Sequence, residues 1–277
     1  MNAVELTAGA ASVRLFPEAG GRLGQIEVDG TRLLRGEEFA SLGWGHWGSY
    51  PLLPWSNRIP RGEFSFEGRA CSVPVNREED GTAIHGLVAA VPWRVVEIDE
   101  RSATMEVRVV EGSYDVRGSQ SFTVTETHLD QTLAVTNTSD ATVPVGLGIH
   151  PWFIAGEVRV PADRMWPGDT PMPTGPSVPV DADHDLRALR VPPPMDRCFT
   201  ALTDTTAEVP GLRLSWSGPV TQVVVYSGTP GWVCVEPVTM ANDGFGLAER
   251  GIEGHGVAAL APGETFEVKY RFAWAPS

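Results

Sequence analysis

The chain has 277 residues, and its 35 acidic side chains outnumber its 21 basic ones to give a formal net charge of −14. A field of this sign repels phosphate backbones and anionic lipid surfaces, which disfavours nucleic-acid and membrane partners. No apolar run approaches the roughly 18 residues that a membrane-spanning helix needs. Lys269 is the only lysine, and its place in a strand pattern makes it a poor candidate for Schiff-base or pyridoxal-phosphate chemistry.

The three cysteines, Cys71, Cys198 and Cys234, lie far apart and form no Cys-x-x-Cys pair. This spacing disfavours a zinc ribbon, a redox dithiol and a disulfide-bridged secreted scaffold, and it favours a reducing compartment. The amino terminus lacks the basic start and apolar stretch of a secretion signal. We therefore expect a cytoplasmic protein, with a length that suits a single domain over residues 1–277.

Apolar and polar residues alternate with a period of two along much of the chain, which predicts half-buried strands. A β-branched run at 223–226 predicts a strand buried on both faces. Thirty glycines and 23 prolines separate such runs, and no long stretch has the period of an amphipathic helix. We therefore predict an all-β chain that forms one large sandwich. The alternating runs are 4–7, 12–15, 121–127, 131–136, 212–216 and 265–270.

Two segments are expected to lie outside the central strands. Nine prolines fall within 161–194, which leaves too few backbone donors for a central strand and predicts an ordered excursion along one face of the sandwich.

Residues 43–48 read Gly-Trp-Gly-His-Trp-Gly and match the dinucleotide-binding fingerprint letter for letter. No apolar strand precedes them, and Pro51 and Pro54 follow where a helix would begin, so we predict a glycine-rich loop.

Motifs of the common hydrolases, P-loop proteins and metalloproteases are absent from the sequence, so polar residues within apolar patterns become the candidates for a site. Arg58 lies in a rigid turn between two prolines, where a structural ion pair is the alternative to ligand binding. His85 precedes a glycine that gives its ring room to face a cleft, or it is a buried structural histidine. Asp196 binds a ligand or pairs with the adjacent Arg197.

Two further candidates carry proton-transfer chemistry. His150 ends a strand pattern and is followed by proline and aromatic residues, whose faces pack well on sugar rings. A core histidine capped by aromatic residues is the alternative. Glu236 ends an apolar strand before a proline, where burial raises the pKa of a carboxyl group toward the range of a general base. A salt-bridged strand end is the alternative for this residue.

Taken in chain order, these pieces resemble the aldose 1-epimerase (galactose mutarotase) family over residues 16–274. The forms His-Pro-Trp-Phe and Glu-Pro-Val-Thr resemble a bacterial branch of that family whose substrates are poorly defined. The matching pieces are Asn57-Arg58-Ile59 with Gly62, Phe64 and Gly68, then His85-Gly86, His150-Pro151-Trp152-Phe153, Asp196-x-x-Phe199 and Cys234-x-Glu236-Pro237.

The resemblance implies a large antiparallel β-sandwich of the galactose mutarotase type, with a sugar cleft across one sheet. It implies that Glu236 is the base and protonated His150 the acid, and we expect them roughly 4 to 8 Å apart. His85 would assist at the reacting oxygens, while Arg58 and Asp196 would bind other hydroxyls. Trp55 and Trp152 are candidate stacking walls.

The expected partner is a small-molecule aldose, and the chemistry requires neither a metal ion nor an organic cofactor. The resemblance is compatible with a monomer or a homodimer. One alternative is a hexose-6-phosphate mutarotase, with Arg22, Arg61 or Arg197 near the phosphate. Another is a sugar-binding or sensing protein that does not catalyse.

Overall fold

A computed structural model describes residues 1–168 and 171–274. These residues form 24 strands, three short 3₁₀ turns (Pro17–Ala19, Glu37–Leu42 and Trp44–His46) and one α-helix, α1 (Gly244–Glu249). The strands are β1 (Val4–Ala8), β2 (Ala11–Phe16), β3 (Arg22–Val28), β4 (Thr31–Arg32), β5 (Ser49–Leu52), β6 (Arg58–Pro60), β7 (Glu63–Phe66), β8 (Arg69–Ser72), β9 (Thr82–Ile84), β10 (Arg94–Ile98), β11 (Ser102–Glu111), β12 (Tyr114–Val124), β13 (His128–Asn137), β14 (Val143–Val145), β15 (Gly148–Ile154), β16 (Ala162–Met165), β17 (Val178–Pro179), β18 (Asp196–Leu202), β19 (Thr206–Val209), β20 (Leu212–Ser217), β21 (Gln222–Tyr226), β22 (Trp232–Val238), β23 (Ala258–Leu260) and β24 (Thr265–Ala273).

Two large antiparallel sheets make up the body of the protein, which confirms the predicted all-β sandwich. The larger sheet has 11 strands in the order β1-β2-β3-β5-β15-β22-β21-β18-β16-β17, with β4 paired to β3. The smaller sheet has seven, in the order β10-β11-β12-β13-β24-β20-β19. The central pair β15 and β22 brings together two segments that are far apart in the sequence.

Apolar side chains from both sheets meet in one continuous core. Val13 and Val235 of the larger sheet belong to the same buried cluster as Phe122 and Leu133 of the smaller sheet. A hydrogen bond from the Tyr270 hydroxyl to the carbonyl of residue 237 also joins the two sheets. The period-two alternation of the sequence therefore corresponds to an inward face on each sheet.

The central strands of the larger sheet are buried on their opposite face as well. In β22, Val233 and Val235 point into the sandwich core, whereas Cys234 belongs to a second buried cluster on the other face. That second face carries Glu236 and the floor of a cleft. A strand buried on both faces reads as a continuous apolar run, and a polar residue within such a run is therefore informative.

Each predicted run lies in an observed strand, and one run extends past the end of its strand. The run predicted at 121–127 ends at Val124, because the Thr125 hydroxyl accepts the backbone N–H of His128 and closes a turn. The run at 223–226 lies within β21, and Val223 is fully buried, as expected for this strand.

The proline-rich stretch differs from its prediction. Its described residues supply β16 and the two-residue β17, which extend the larger sheet at its edge instead of lying along one face. Proline is tolerated at this position because an edge strand leaves one row of backbone donors unpaired. In the part of the chain that the structure describes, no helix has the length and apolar character needed to cross a membrane.

Candidate active site

A cleft of about 530 Å³ opens on the outer face of the larger sheet. This volume lies in the range of small-molecule sites. The cleft contains all five of the predicted site residues. Its lining residues are Leu42, Gly43, Trp44, Gly45, His46, Tyr50, Asn57, Arg58, Asn76, Arg77, Glu79, Ile84, His85, His150, Trp152, Asp196, Tyr226 and Glu236.

The register between neighbouring strands determines which side chains form the floor of the cleft. Gly148 pairs with Val238 and Trp152 pairs with Cys234, so His150 and Glu236 come opposite each other on neighbouring strands. Residues two apart on a strand share a face. Two parallel cross-strand rows result. One row is Tyr50-His150-Glu236 and the other is Trp152-Cys234-Tyr226-Asp196.

The predicted proton-transfer residues contact each other directly. Nε2 of His150 lies 3.2 Å from Oε1 of Glu236, and both side chains are buried. The separation of 4 to 8 Å expected from the sequence is therefore wrong. The cross-strand register accounts for the difference, because side chains that face each other on paired strands have Cβ atoms only about 5 Å apart.

Burial favours the uncharged form of each member of this pair. It raises the pKa of Glu236 well above its usual value, and the negative charge of Asp196 raises it further. Burial lowers the pKa of His150 to about 3. Burial therefore disfavours the protonated His150 that was expected as the starting state.

A small two-stranded ribbon supplies the wall above this floor. Arg58 of β6 pairs with Ile84 of β9, and the backbone N–H of His85 donates to the carbonyl of Asn57. Asn57 and His85 both have positive φ, near +56° and +61°. Such left-handed residues turn the chain sharply at each strand end, and here the turns direct both side chains into the cleft.

Charged hydrogen bonds hold the Arg58 side chain in the wall. Its Nε donates to Asp80 at 3.0 Å, and its Nη1 lies 3.8 Å from a carboxylate oxygen of Asp196. Asp196 is thus placed against Arg58 and not against its chain neighbour Arg197. Burial raises the pKa of Asp196, and the positive charge of Arg58 opposes that shift. Both Arg58 and Asp196 line the cleft, where each can form charged hydrogen bonds with hydroxyl groups of a ligand.

His85 stands close to the buried pair. Its ring lies edge-on to that of His150, with 5.0 Å between the ring centroids. Burial lowers the pKa of His85 well below its usual value, and a charge on His150 would lower it further. A neutral imidazole offers one donor and one acceptor, which suits a hydroxyl group that must be bound but not ionised.

Of the two tryptophans proposed as stacking walls, one lines the cleft. Trp152 does so, and its Nε1 donates to the carbonyl of Gly45. Trp55 is fully buried in the sandwich core against Tyr114, so its predicted role is wrong. Trp44, in the loop that the sequence predicted to be glycine-rich, lines the cleft in its place.

Several cleft residues were not predicted from the sequence. Tyr50 stacks on His150, with ring centroids 4.6 Å apart. Arg77 and Glu79 line the cleft from the loop after β8. Only the cross-strand register and the path of the loops bring these residues to the site, and a single sequence shows neither.

The three arginines considered for a phosphate group lie away from the cleft wall. Arg22 is buried beneath the floor. Arg61 is exposed next to Glu63, and Arg197 donates to the carbonyl of Gly168. The predicted phosphate contacts of Arg22, Arg61 and Arg197 are therefore not supported by their positions.

Among the described residues, His150, Cys234 and Glu236 form one group that could hold a metal ion. Their ligand atoms lie within 4.8 Å of one another. Zinc bonds of about 2.0 to 2.3 Å would require these atoms to draw together to under about 4 Å. Burial also raises the pKa of the Cys234 thiol well above its usual value, which disfavours the thiolate that binds metals. We therefore assign no metal site here.

Comparison with known proteins gives the same family as the sequence motifs. The sequence model of the family described as Aldose 1-epimerase matches residues 2–273. An Escherichia coli K12 protein named "Uncharacterized protein YphB" is 26% identical over 251 residues, which cover 81% of this chain and 83% of that protein.

Solved structures share the fold. An Escherichia coli K12 structure superposes with a TM-score of 0.88 at 23% identity and covers 99% of both chains. A galactose mutarotase-like protein from Clostridium acetobutylicum gives 0.83 at 21% identity, over 98% of this chain and 94% of that one. With the family match across nearly its whole length, the chain belongs to the aldose 1-epimerase family.

Proposed function

We propose that this protein is an aldose 1-epimerase that interconverts the α and β anomers of a free hexose, and that residues 1–277 form a single domain for this activity. The observation that carries the proposal is the contact between Nε2 of His150 and Oε1 of Glu236 on the floor of an open cleft. Ring opening needs one group that accepts the proton of the C1 hydroxyl and one that protonates the ring oxygen. A carboxyl and an imidazole that share a proton supply both.

The 3.2 Å contact suits two oxygens bonded to the same carbon. The C1 hydroxyl and the ring oxygen are such a pair. Hydrogen bonds of about 2.7 to 3.0 Å can therefore join one of these oxygens to His150 and the other to Glu236 at the same time. The sugar would lie above Glu236 and His150 without pushing them apart. Two groups in contact would thus carry out the proton transfers that were expected from groups roughly 4 to 8 Å apart.

The proton count of the pair is restored in each cycle. One member takes the proton of the C1 hydroxyl as the other protonates the ring oxygen, and the C–O ring bond breaks. After rotation about the C1–C2 bond, the oxygen that had closed the ring attacks the other face of the aldehyde, and both protons return. The group that acts as the acid during ring opening acts as the base during ring closure, so Glu236 and His150 exchange roles within each cycle.

Other cleft residues would bind and orient the sugar. Arg58 and Asp196 present charged hydrogen-bonding groups, and His85 presents a neutral one near the reacting oxygens. Trp44 and Trp152 offer apolar faces for the C–H side of the ring. These contacts would hold the sugar in place as the ring opens.

The charges of the cleft favour an uncharged sugar over its 6-phosphate. Arg58 and Arg77 are the arginines that line the cleft in the described residues, and both contact Asp80. Glu79 and Asp196 add negative charge to the same lining. A phosphate would have to compete with carboxylates that these arginines already bind.

A substrate panel tests this proposal. Exchange NMR with glucose, galactose and glucose 6-phosphate is expected to show faster anomer exchange for at least one free hexose and a far smaller effect on the phosphate. Faster exchange of the phosphate alone would favour the hexose-6-phosphate alternative. Saturable sugar binding with no acceleration would instead favour the binding or sensing role.

Asp196→Asn is expected to alter both sugar binding and the pH profile. Loss of a charged hydrogen bond to a hydroxyl should raise KM about 10- to 100-fold. The negative charge of Asp196 raises the pKa of Glu236, so its removal lowers that pKa, and the pair loses its proton at a lower pH. The alkaline decline of kcat/KM, measured after subtraction of the spontaneous rate, should therefore move to lower pH. An unchanged KM and an unchanged profile would contradict this placement of Asp196.

A further inference from the structure

Two buried arginines lie on either side of the aromatic residues that contact His150. Arg22 is 1% exposed and Arg35 is 5% exposed. In the described part of the chain, neither has a carboxylate within ion-pair distance. Burial of an unpaired cation is costly, so each needs another source of stabilisation.

Arg22 is stabilised by carbonyls and by aromatic faces. Its guanidinium donates to the carbonyls of Ala19, Trp44, Trp47 and Ala89. Its Cζ lies 4.3 Å from the centre of the Trp47 ring and 5.3 Å from that of Tyr50. Burial lowers the pKa of Arg22 only to about 10, so it remains a cation at neutral pH.

Arg35 is held almost entirely by aromatic faces. Its Cζ lies 4.3 Å from the ring centre of Phe39, 5.0 Å from Trp152 and 5.2 Å from Trp232. Its Nε and Nη1 are buried and have no hydrogen-bond partner among the described residues. Cation–π attraction of this kind is strongest when the cation is removed from water.

The rings between the two arginines are stacked on His150. Tyr50 lies 4.6 Å from the His150 ring with 19° between the planes, and Trp152 lies 5.7 Å away with 28° between the planes. Successive contacts therefore link five groups, which we call the arginine-capped stack: Arg22, Tyr50, His150, Trp152 and Arg35.

We infer that Arg22 and Arg35 are positioning residues that fix the plane of the His150 imidazole for proton transfer. Among the described residues, the polar contact given for Nε2 of His150 is the 3.2 Å approach to Glu236, and a single contact leaves the ring free to tilt about it. Stacked faces restrict that tilt. An error of about 1 Å at a reacting group can cost about 10²-fold in rate. This inference rests on the proposed function, since the reaction gives the orientation its importance.

Arg35 is the better of the two residues to test. Removal of Arg22 would take a donor from four carbonyls in buried or partly buried hydrogen bonds and could unfold the protein. Arg35→Met, in contrast, keeps an unbranched apolar stem and leaves no side-chain acceptor unpaired. We expect Arg35→Met to lower kcat about 10-fold with KM changed less than about twofold. Arg35→Lys keeps a cation near the rings and should lose less. Arg94→Met removes an exposed arginine of β10 and serves as the control.

A second readout does not depend on catalysis. Neighbouring aromatic faces displace the NMR signals of the His150 ring protons, which can be assigned by comparison with His150→Asn. Arg35→Met should move these signals, and Arg94→Met should not. Unchanged signals, whatever the rate, would overturn positioning through the stack, and so would a change confined to KM. An unchanged kcat in Arg35→Met beside an active wild type would also overturn it. A wild type without activity would refute the proposed function instead, and the ring signals would still test the stack.

Discussion

Glu236→Gln is expected to lower kcat by about 10²- to 10⁴-fold. Glutamine keeps the size of the side chain and an oxygen 3.2 Å from His150, but it neither gives nor takes a proton at neutral pH. The fold should be unaffected, because burial already favours the uncharged carboxyl group, which an amide resembles. Polarimetry of freshly dissolved α-glucose or α-galactose measures the rate.

Glu267→Gln is a suitable control for this substitution. Glu267 lies on β24 of the smaller sheet, is largely exposed and contacts Lys269. The control should match the wild type in rate and in thermal unfolding. If Glu236→Gln kept a rate within a fewfold of the wild type, the carboxyl group would have no part in the proton transfer.

His150→Asn should also lower kcat by about 10²- to 10⁴-fold. Asparagine can donate a hydrogen bond to Glu236, but it cannot carry a proton to the ring oxygen. Since the two groups would act as a unit, the double variant His150→Asn/Glu236→Gln should be little slower than either single variant. This lack of additivity can be measured in the same polarimetric assay.

Tyr50→Phe separates the chemistry of His150 from its packing. The phenylalanine ring can still stack on the imidazole, and the loss is a weak hydrogen bond of 3.4 Å from the hydroxyl to the carbonyl of Gly45. We expect a change of less than about fivefold in kcat for Tyr50→Phe.

The double variant His150→Asn/Glu236→Gln has a contrary outcome of its own. Independent, fully additive losses in kcat from the two substitutions would argue against a proton shared by His150 and Glu236.

The strands were predictable because each has a local pattern. The alternation in β13 and β24 reflects one face in the core and one face toward water. The two-residue β17 and the edge position of the proline-rich stretch were not predictable, because pairing with β16 and β18 determines them. The local alternation of apolar and polar residues indicates which side chains are buried, whereas pairing with neighbouring strands determines the strand order of a sheet.

The five residues proposed from the sequence all lie in the cleft, but their geometry and several other cleft residues were not predictable. Glu236 and His150 stand out as polar residues in apolar strands, and the structure places both on the cleft floor. Their direct contact depends on the register of β15 against β22, which the sequence does not show. Trp55 was misplaced because a tryptophan in a turn beside Arg58 gives no sign of which way its ring points. Arg35, likewise, has no sequence pattern that distinguishes it from a surface arginine.

The most direct test of the account compares wild type and Glu236→Gln, purified in parallel, in the mutarotation of a freshly dissolved α-hexose. We expect the rate to rise above the spontaneous rate in proportion to the amount of wild-type enzyme, with at least about 10²-fold less acceleration by the variant. Parallel purification controls for mutarotase from the expression host. Equal acceleration by both proteins, or none by the wild type on any free hexose of the panel, would contradict the claim that this buried acid and base open the sugar ring.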